Sequence, residues 1–97
     1  MTIKVIGLIQ LSDLEAFEEY RSQVGDTVSL YQGKIISRGS FNTFLWNELK
    51  CDSFSAFVEL EFPDAEHSKM WANSPEYQNL LAIRSKAMKL TLFSVSL

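Results

Sequence analysis

The order in which hydrophobic spacing changes along the chain is the feature that most restricts its fold. Spacing typical of helices runs from residue 12 to about 31 and again from 64 to 88. Spacing typical of strands occupies four other stretches, at residues 2–11, 34–41, 54–62 and 90–97. We therefore predict the order β-α-β-β-α-β within one domain that spans residues 1–97.

The stretch "FSAFVELEF" at residues 54–62 is the clearest strand. Its even-numbered residues are all apolar, whereas the other parity carries Phe57, Glu59 and Glu61. We expect the even-numbered side chains to face the helices. Residues 2–11 are apolar on both parities, which is typical of a strand that is covered on both faces.

Capping residues indicate the ends of the first helix. Ser12, followed three residues later by Glu15, forms the capping-box pattern that predicts its start. Gly33 is expected to be the glycine that ends it. Gly25 lies in its middle and indicates a point where the helix could break.

The second helical stretch contains two predicted helix starts. Asp64 is the predicted N-cap of a helix that runs through Trp71. Ser74 then caps a new start, and Pro75 takes the first helical position, where a backbone N–H is not needed. We therefore predict two helices here. Residues 42–53 have no clear period, and we predict that they extend a hairpin.

This order predicts an α+β fold of the ferredoxin-like type, a four-stranded antiparallel sheet with both helices on one face. The other face would then present Phe57, Glu59 and Glu61 together with the second parity of the first strand. An open apolar face of this kind exceeds what monomers usually expose. We therefore predict a homodimer in which two open faces stack against each other.

Composition argues against several classes of protein. The net charge of −3 is unfavourable for binding nucleic acid or anionic lipid, which attract basic surfaces. No stretch approaches the roughly 18 apolar residues of a membrane span, and the first residues lack a signal-peptide cleavage pattern. Because the single cysteine, Cys51, has no partner at metal-ligand spacing and no phosphate-binding loop occurs, we predict a cytoplasmic protein without metal or cofactor.

One long segment resembles a known family. "EFPDAEHSKMWANSPEYQNLLAIR" at residues 61–84, with "YQGKIISRG" at 31–39, resembles the signature of domain-of-unknown-function family thirteen-thirty, within the dimeric α+β barrel superfamily. The resemblance covers nearly the whole chain in order and spacing. It departs at residues 41–53, where "FLWNELKCDS" replaces the family's Glu-Gly pair and arginine.

The resemblance implies a barrel-like dimer and brings no assigned activity. Related families of the superfamily include cofactor-independent quinone-forming monooxygenases and small isomerases, which use a pocket between the sheet and the helices. Such a likeness in fold makes a pocket at this place the first expectation, and it assigns no reaction.

Arg84 is the first candidate for contact with a ligand, because it shares a helical face with Tyr77 and Leu81. A partly buried arginine needs an acceptor, which a ligand carboxylate or phenolate could supply. Glu59 or Glu61 could supply it equally. A structural ion pair, or a stem lying along the core with its head in water, is the simpler interpretation.

Arg38 shares a strand parity with Lys34 and Ile36, which predicts an opposite-charge pair with Glu59 or Glu61 across the hairpin. Such a pair would suit a bridge at a dimer interface better than a catalytic role.

Three further residues complete the candidates. Trp71 and Tyr77 lie at the helix break, where the mouth of a pocket would open, and their alternative role is that of core aromatics. The only histidine, His67, lies among solvated residues, and we predict no catalytic role for it.

We therefore predict a homodimer that binds a small, partly apolar organic molecule between sheet and helices. Its candidate ligand-binding residues are Arg84, Tyr77, Trp71, Arg38 and Glu61. The enzymatic form of this hypothesis is a cofactor-free oxygenase or isomerase. The rival hypothesis is an interaction module whose pocket is filled by its own side chains. An empty concavity near Trp71 and Tyr77 would distinguish the two.

Overall fold

The computed structural model describes residues 2–97 and confirms the predicted order of strands and helical regions. These residues form β1 (Ile3–Leu11), α1 (Leu14–Leu30), β2 (Lys34–Ser40), β3 (Ala56–Phe62), α2 (Ala65–Ala72), α3 (Pro75–Gln78), α4 (Leu81–Ala87) and β4 (Met88–Ser96). The second helical region is therefore divided into three segments.

The four strands form one sheet in the order β2-β3-β1-β4. Strand β1 pairs antiparallel with β3 on one side and β4 on the other, and β2 pairs antiparallel with β3. This order and pairing define the ferredoxin-like fold, so the predicted α+β class is confirmed.

The core lies between the helices and one face of the sheet. Ile3, Val5 and Ile9 of β1 are buried there, and Leu60 and Phe62 of β3 join them. The even-numbered residues of β3 thus face the helices, as predicted. The largest side chains with almost no exposed surface are Trp71, Tyr77, Phe62 and Val28.

Helix α1 begins one residue later than the capping-box pattern predicts. Asp13 is the N-cap, and its carboxylate accepts a hydrogen bond from the Ala16 amide at 3.0 Å. The amide of Ser12 donates instead to the carbonyl oxygen of Ala87 at 2.8 Å. Ser12 is therefore held by the end of α4, and the prediction that it caps the helix is wrong.

Helix α1 continues through Gly25 without a break and ends in a Schellman motif. Gln32, with φ of 64°, takes the left-handed position predicted for Gly33. The Gly33 amide donates to the Val28 carbonyl at 3.0 Å, which closes the motif. Gly33 is needed for space, because a Cβ atom there would lie 2.5 Å from Cε1 of Phe62.

Two predicted caps of the second helical region are confirmed. Asp64 accepts a hydrogen bond from the His67 amide at 2.8 Å, and Ser74 Oγ accepts one from the Tyr77 amide at 3.1 Å. Pro75 takes the first position of α3, as predicted. A second interruption follows at Leu80, before α4 begins without a side-chain cap.

Residues 41–55 contain no strand or helix, so the predicted extension of the hairpin is wrong. One hydrogen bond, from the Phe41 amide to the Ser55 carbonyl at 2.8 Å, closes the base of the loop. Above it, Phe41, Phe44 and Phe54 pack as an aromatic cluster with two centroid distances of 4.6 and 4.9 Å. Aromatic packing within the loop thus replaces further ladder pairing.

Gly25, inside helix α1, and Gly33, just beyond its end, offer a matched pair of substitutions. Gly25→Ala should stabilise the fold by about 0.5–1 kcal/mol, because the added Cβ meets only Ile35 Cδ1 at 3.7 Å and alanine favours a helix. Gly33→Ala should destabilise it by ~1–3 kcal/mol, because its Cβ would overlap the buried ring of Phe62. Urea denaturation measures both, and effects of the same sign would contradict the helix end described here.

Candidate functional site

A cavity of about 320 Å³ lies between α1 and the helix-facing side of the sheet, and we call it the α1–sheet cavity. Its wall is mainly apolar and includes Trp71 of α2. The apolar residues that line it from α1 and the strands are Ile9, Phe17, Val24, Val28, Ile35, Ala56, Phe57, Val58, Leu60, Met88, Leu90 and Leu92.

A one-residue irregularity in β2 determines which side chains reach this cavity. Ile35 is opposite Leu60, but Ser37 and not Ile36 is opposite Glu59, so Ile36 is an extra residue in β2. Such a β-bulge moves every following side chain to the other face of the sheet.

The bulge turns Arg38 toward the helices. Arg38 is opposite Val58, an even-numbered residue of β3, and lines the α1–sheet cavity. The predicted pairing of Arg38 with Glu59 or Glu61 is therefore wrong. Glu59 accepts a hydrogen bond from Ser37 Oγ at 3.1 Å instead, and Glu61 pairs with Lys34 at 3.3 Å.

Arg21 of α1 is the second arginine in the cavity wall. Its guanidinium lies 5.6 Å from the centroid of the Phe17 ring and 3.5 Å from the Glu18 carboxylate. Arg21, Arg38 and Ser40 are the exposed members of the wall, so they mark where the cavity meets solvent. An ion pair as exposed as that of Arg21 and Glu18 contributes little to stability.

A buried chain of hydrogen bonds borders the cavity. The hydroxyls of Tyr20 and Tyr77 lie 2.8 Å apart, and Arg84 Nη1 donates to the Tyr77 hydroxyl at 2.9 Å. Only Tyr20 of these three residues lines the cavity. One donor nitrogen of the Arg84 guanidinium thus has its partner within the protein, a phenol and not a carboxylate.

Burial governs the chemistry of Tyr20. Loss of contact with water raises the pKa of the Tyr20 hydroxyl far above its ordinary value, and the neighbouring Tyr77 hydroxyl adds to the effect. The Tyr20 phenol is therefore neutral throughout the physiological range. It can take part in hydrogen bonds, but it is not a base.

Trp71 combines a place in the core with a place in the wall. Its ring is 2% exposed and packs on Tyr77 with centroids 4.5 Å apart. Its Nε1 donates to Thr27 Oγ1 at 3.0 Å, so the indole has its hydrogen-bond partner within the protein. What Trp71 offers to the cavity is therefore apolar surface.

Glu61 lies on the opposite face of the sheet from the cavity. Its carboxylate pairs with Lys4 at 3.0 Å and with Lys34 at 3.3 Å. The hydrogen bond from the Lys4 ammonium group lowers the pKa of Glu61 most, and the one from Lys34 lowers it further. Of the five candidate residues, the fold therefore brings Trp71 and Arg38 to the cavity, Tyr77 and Arg84 to its border, and Glu61 to the far face.

Two other residues considered from the sequence lie away from the cavity. His67 Nδ1 is 2.7 Å from the Asp64 carboxylate at the start of α2, and Cys51 is exposed in the loop. The hydrogen bond from the backbone amide of His67 lowers the pKa of Asp64 most, and the hydrogen bond with the His67 side chain lowers it further. Residues 2–97 contain no group of three or more His, Cys, Asp or Glu side chains placed to hold a metal ion.

Sequence reasoning missed Tyr20 and Arg21. Arg21 follows Phe17 by four residues and precedes Val28 by seven. It therefore lies on the apolar stripe of α1, although a charged residue is ordinarily expected on the solvent-exposed side of a helix. This spacing was the available signal. A charged residue within an apolar helical stripe points to a place where the stripe meets a cavity or solvent.

The sheet order and the helices on one face define a ferredoxin-like α+β protein, and the cavity between α1 and the sheet opens to solvent. The chain belongs to the family described as "Domain of unknown function (DUF1330)", whose sequence profile matches residues 4–96. No curated protein matches it in sequence. Across residues 2–97, none of the helices has the length and apolar character needed to cross a bilayer.

Solved structures of low sequence identity share the fold. A protein of unknown function from Rhodopseudomonas palustris is 18% identical, with a TM-score of 0.78 over 97% of this chain and 80% of that one. A dimeric ferredoxin-like protein of unknown function from Thermobifida fusca is 15% identical, with a TM-score of 0.68 over 100% and 92%. SnoaB, a cofactor-independent oxygenase from Streptomyces nogalater, is 6% identical, with a TM-score of 0.71 over 99% and 92%.

Proposed function

We propose that this protein binds a small, partly apolar organic molecule in the α1–sheet cavity. The observation that carries the proposal is the cavity itself, about 320 Å³ of space with a mainly apolar wall and a few polar groups at one opening. Sites for small molecules in proteins have this size and this distribution of polarity. A wall of rigid strands and one long helix also suits a preformed site.

The cavity favours this proposal over a module whose only function is self-association. In such a module the space between helices and sheet would be filled by the chain's own side chains, since protein interiors are close-packed. Arg38 is a further argument, because the bulge directs a charged side chain toward this space, where it has no hydrogen-bond or ion-pair partner among residues 2–97. A structural role alone gives no reason for that arrangement.

Catalysis on the bound molecule is a second candidate function. SnoaB is a cofactor-independent oxygenase with the same fold, and Tyr20 supplies a buried polar group in the cavity wall here. The proposal is therefore extended to oxygenation by molecular oxygen or to isomerisation of a ligand. Liquid chromatography coupled to mass spectrometry of bound compounds incubated under air distinguishes the two functions. A change in mass establishes oxygenation, a new retention time at unchanged mass establishes isomerisation, and compounds unchanged in both restrict the function to binding.

We also propose that the protein acts as a homodimer through the open face of its sheet. This face, defined by Ile6, Leu8, Phe57, Phe93 and Val95, is apolar, and Phe93 is 45% exposed. Half-buried ion pairs of Lys4 with Glu59 and Glu61 interrupt it. A monomer rarely exposes so many large apolar side chains on one face of a sheet.

The loop of residues 41–55 continues the same surface. Trp46 is 86% exposed, and it shares a shallow concavity with Leu8 and Phe57 of the open face. A second copy that covers the sheet would therefore cover this indole as well. The Thermobifida fusca protein with this fold is described as dimeric, which supports the proposal.

Filling the cavity should abolish binding. In a thermal-shift screen of small phenols, quinones, lactones and carboxylates, a group of related compounds should stabilise the native protein, by ~2.7 kcal/mol for a ligand at about 100 times its Kd. Ala56→Leu, which adds bulk inside the cavity, should lose these responses. Ala82→Leu, the same change on the exposed surface of α4, should keep them. A screen without responses, or equal responses in both variants, would contradict the proposal.

A charge on the open face should separate the subunits. Phe93→Glu should convert the dimer to the 11.1 kDa monomer, because an uncompensated carboxylate would be buried between the sheets. Leu14→Glu adds the same charge to an exposed position in the first turn of α1 and should leave the dimer intact. Sedimentation velocity at micromolar concentration measures both, and a monomeric native protein would refute the dimer.

A further inference from the structure

We infer that the molecule bound in the α1–sheet cavity is a monoanion with an apolar body and a single carboxylate. Arg38, together with Arg21, binds this carboxylate at the opening of the cavity. This inference rests on the binding function proposed above and specifies its ligand class. It goes beyond that function because a cavity of this size with apolar walls would by itself accept neutral molecules equally well.

The charges of the cavity wall are the first argument. The chain as a whole carries a net charge of −3. The cavity wall nevertheless contains two arginines and neither aspartate nor glutamate. The opening is therefore cationic on an acidic protein, and a wall of low polarity strengthens the attraction of an anion.

The state of Arg38 is the second argument. Within residues 2–97 its guanidinium has no ion-pair or hydrogen-bond partner, although both carboxylates of the neighbouring strand lie within the same sheet. The bulge at Ile36 separates them, because it leaves Glu59 and Glu61 on one face and places Arg38 on the other. The planar donors of the guanidinium match a carboxylate in two parallel hydrogen bonds.

Arg21 can join this contact at little expense. Its only ion pair within the described residues is the exposed one with Glu18 at 3.5 Å. A contact of that length and exposure is readily exchanged for another carboxylate. The guanidinium carbon of Arg21 lies 5.6 Å from the centroid of the Phe17 ring, which also lines the cavity.

The body of the ligand follows from the rest of the wall. Apart from the residues at the opening, the cavity wall consists mainly of aliphatic side chains and the aromatic residues Phe17, Tyr20, Phe57 and Trp71. The indole nitrogen of Trp71 is occupied by Thr27. An aromatic or alicyclic body with a single carboxylate at one end is therefore the shape and charge that this cavity fits.

A pair of isosteric probes tests the inference. Isothermal titration with 2-naphthoate and with neutral 2-naphthamide should give at least about tenfold tighter binding of the acid, since hydrogen bonds to a charged group are the stronger kind. The difference should shrink as salt is added. Arg38→Met should remove the preference while 2-naphthamide still binds, which also verifies that the variant retains its cavity.

Lys34→Met is the matched control, because it removes one positive charge from the same strand but on the open face. It should leave the preference for the acid unchanged. Equal binding of acid and amide would overturn the inference while leaving the binding site intact. Failure of both probes to bind would overturn the inference together with the proposed function. An equal loss in Lys34→Met and Arg38→Met would overturn the role of Arg38.

Discussion

The pairing of β2 with β3 contains one extra residue, Ile36, and the character of both faces of the sheet depends on it. Side chains alternate between the faces of a strand, so an insertion of one residue exchanges the faces of everything that follows. Ser37, which follows the insertion, consequently lies beside Glu59 and donates to its carboxylate, whereas Lys34, which precedes the insertion, pairs with Glu61. Arg38 is directed to the opposite side, into the α1–sheet cavity.

The sheet thereby separates two kinds of surface. On the helix side, a layer of core residues holds Trp71 and Tyr77 in fixed positions, and the space left under α1 is mainly apolar with arginines at its opening. On the open side, apolar side chains surround the ion pairs of Lys4. We propose the first side for a small molecule and the second for another copy of the chain, and Phe57 borders both.

The buried polar groups between these layers are almost all satisfied by one another. Arg84 donates to Tyr77, Tyr77 pairs with Tyr20, and Trp71 donates to Thr27. Among residues 2–97 no buried side-chain nitrogen or oxygen lacks a partner. Because unsatisfied buried groups are costly, this network supports a single arrangement of α1 against α3 and α4. The guanidinium of Arg38 is exposed, and within residues 2–97 it has no ion-pair or hydrogen-bond partner.

Most of the fold was predictable, because it depends on hydrophobic spacing and on short-range capping. The alternation in β3 and the caps Asp64 and Ser74 act through neighbours in sequence. The errors arose where distant contacts decide. The end of α4 holds Ser12, so that Asp13 becomes the cap, and the ring of Phe62 requires Gly33.

The candidate site was predictable only in part. Trp71 was identified from its place at the helix break, whereas Arg38 was assigned to the wrong face, because no residue near Ile36 signals a bulge. Arg21 was missed because a charged residue of a helix is ordinarily expected on its solvent-exposed side. Both errors concern which face of a strand or helix a residue lies on. That face is determined by the pairing between strands and by the packing of the helix.

The face occupied by Arg38 is the most direct test of this account. Nuclear Overhauser effects in uniformly labelled protein report it, because side chains directly opposite each other on one face have Cβ atoms about 4.5–5.5 Å apart. If β2 contains the bulge, nuclear Overhauser effects link the Arg38 side chain to the Val58 methyl groups, and no such effects link it to the Glu59 side chain. Effects linking Arg38 to Glu59 or Lys4 would mean that β2 pairs without the bulge, and the cationic opening of the cavity would not exist.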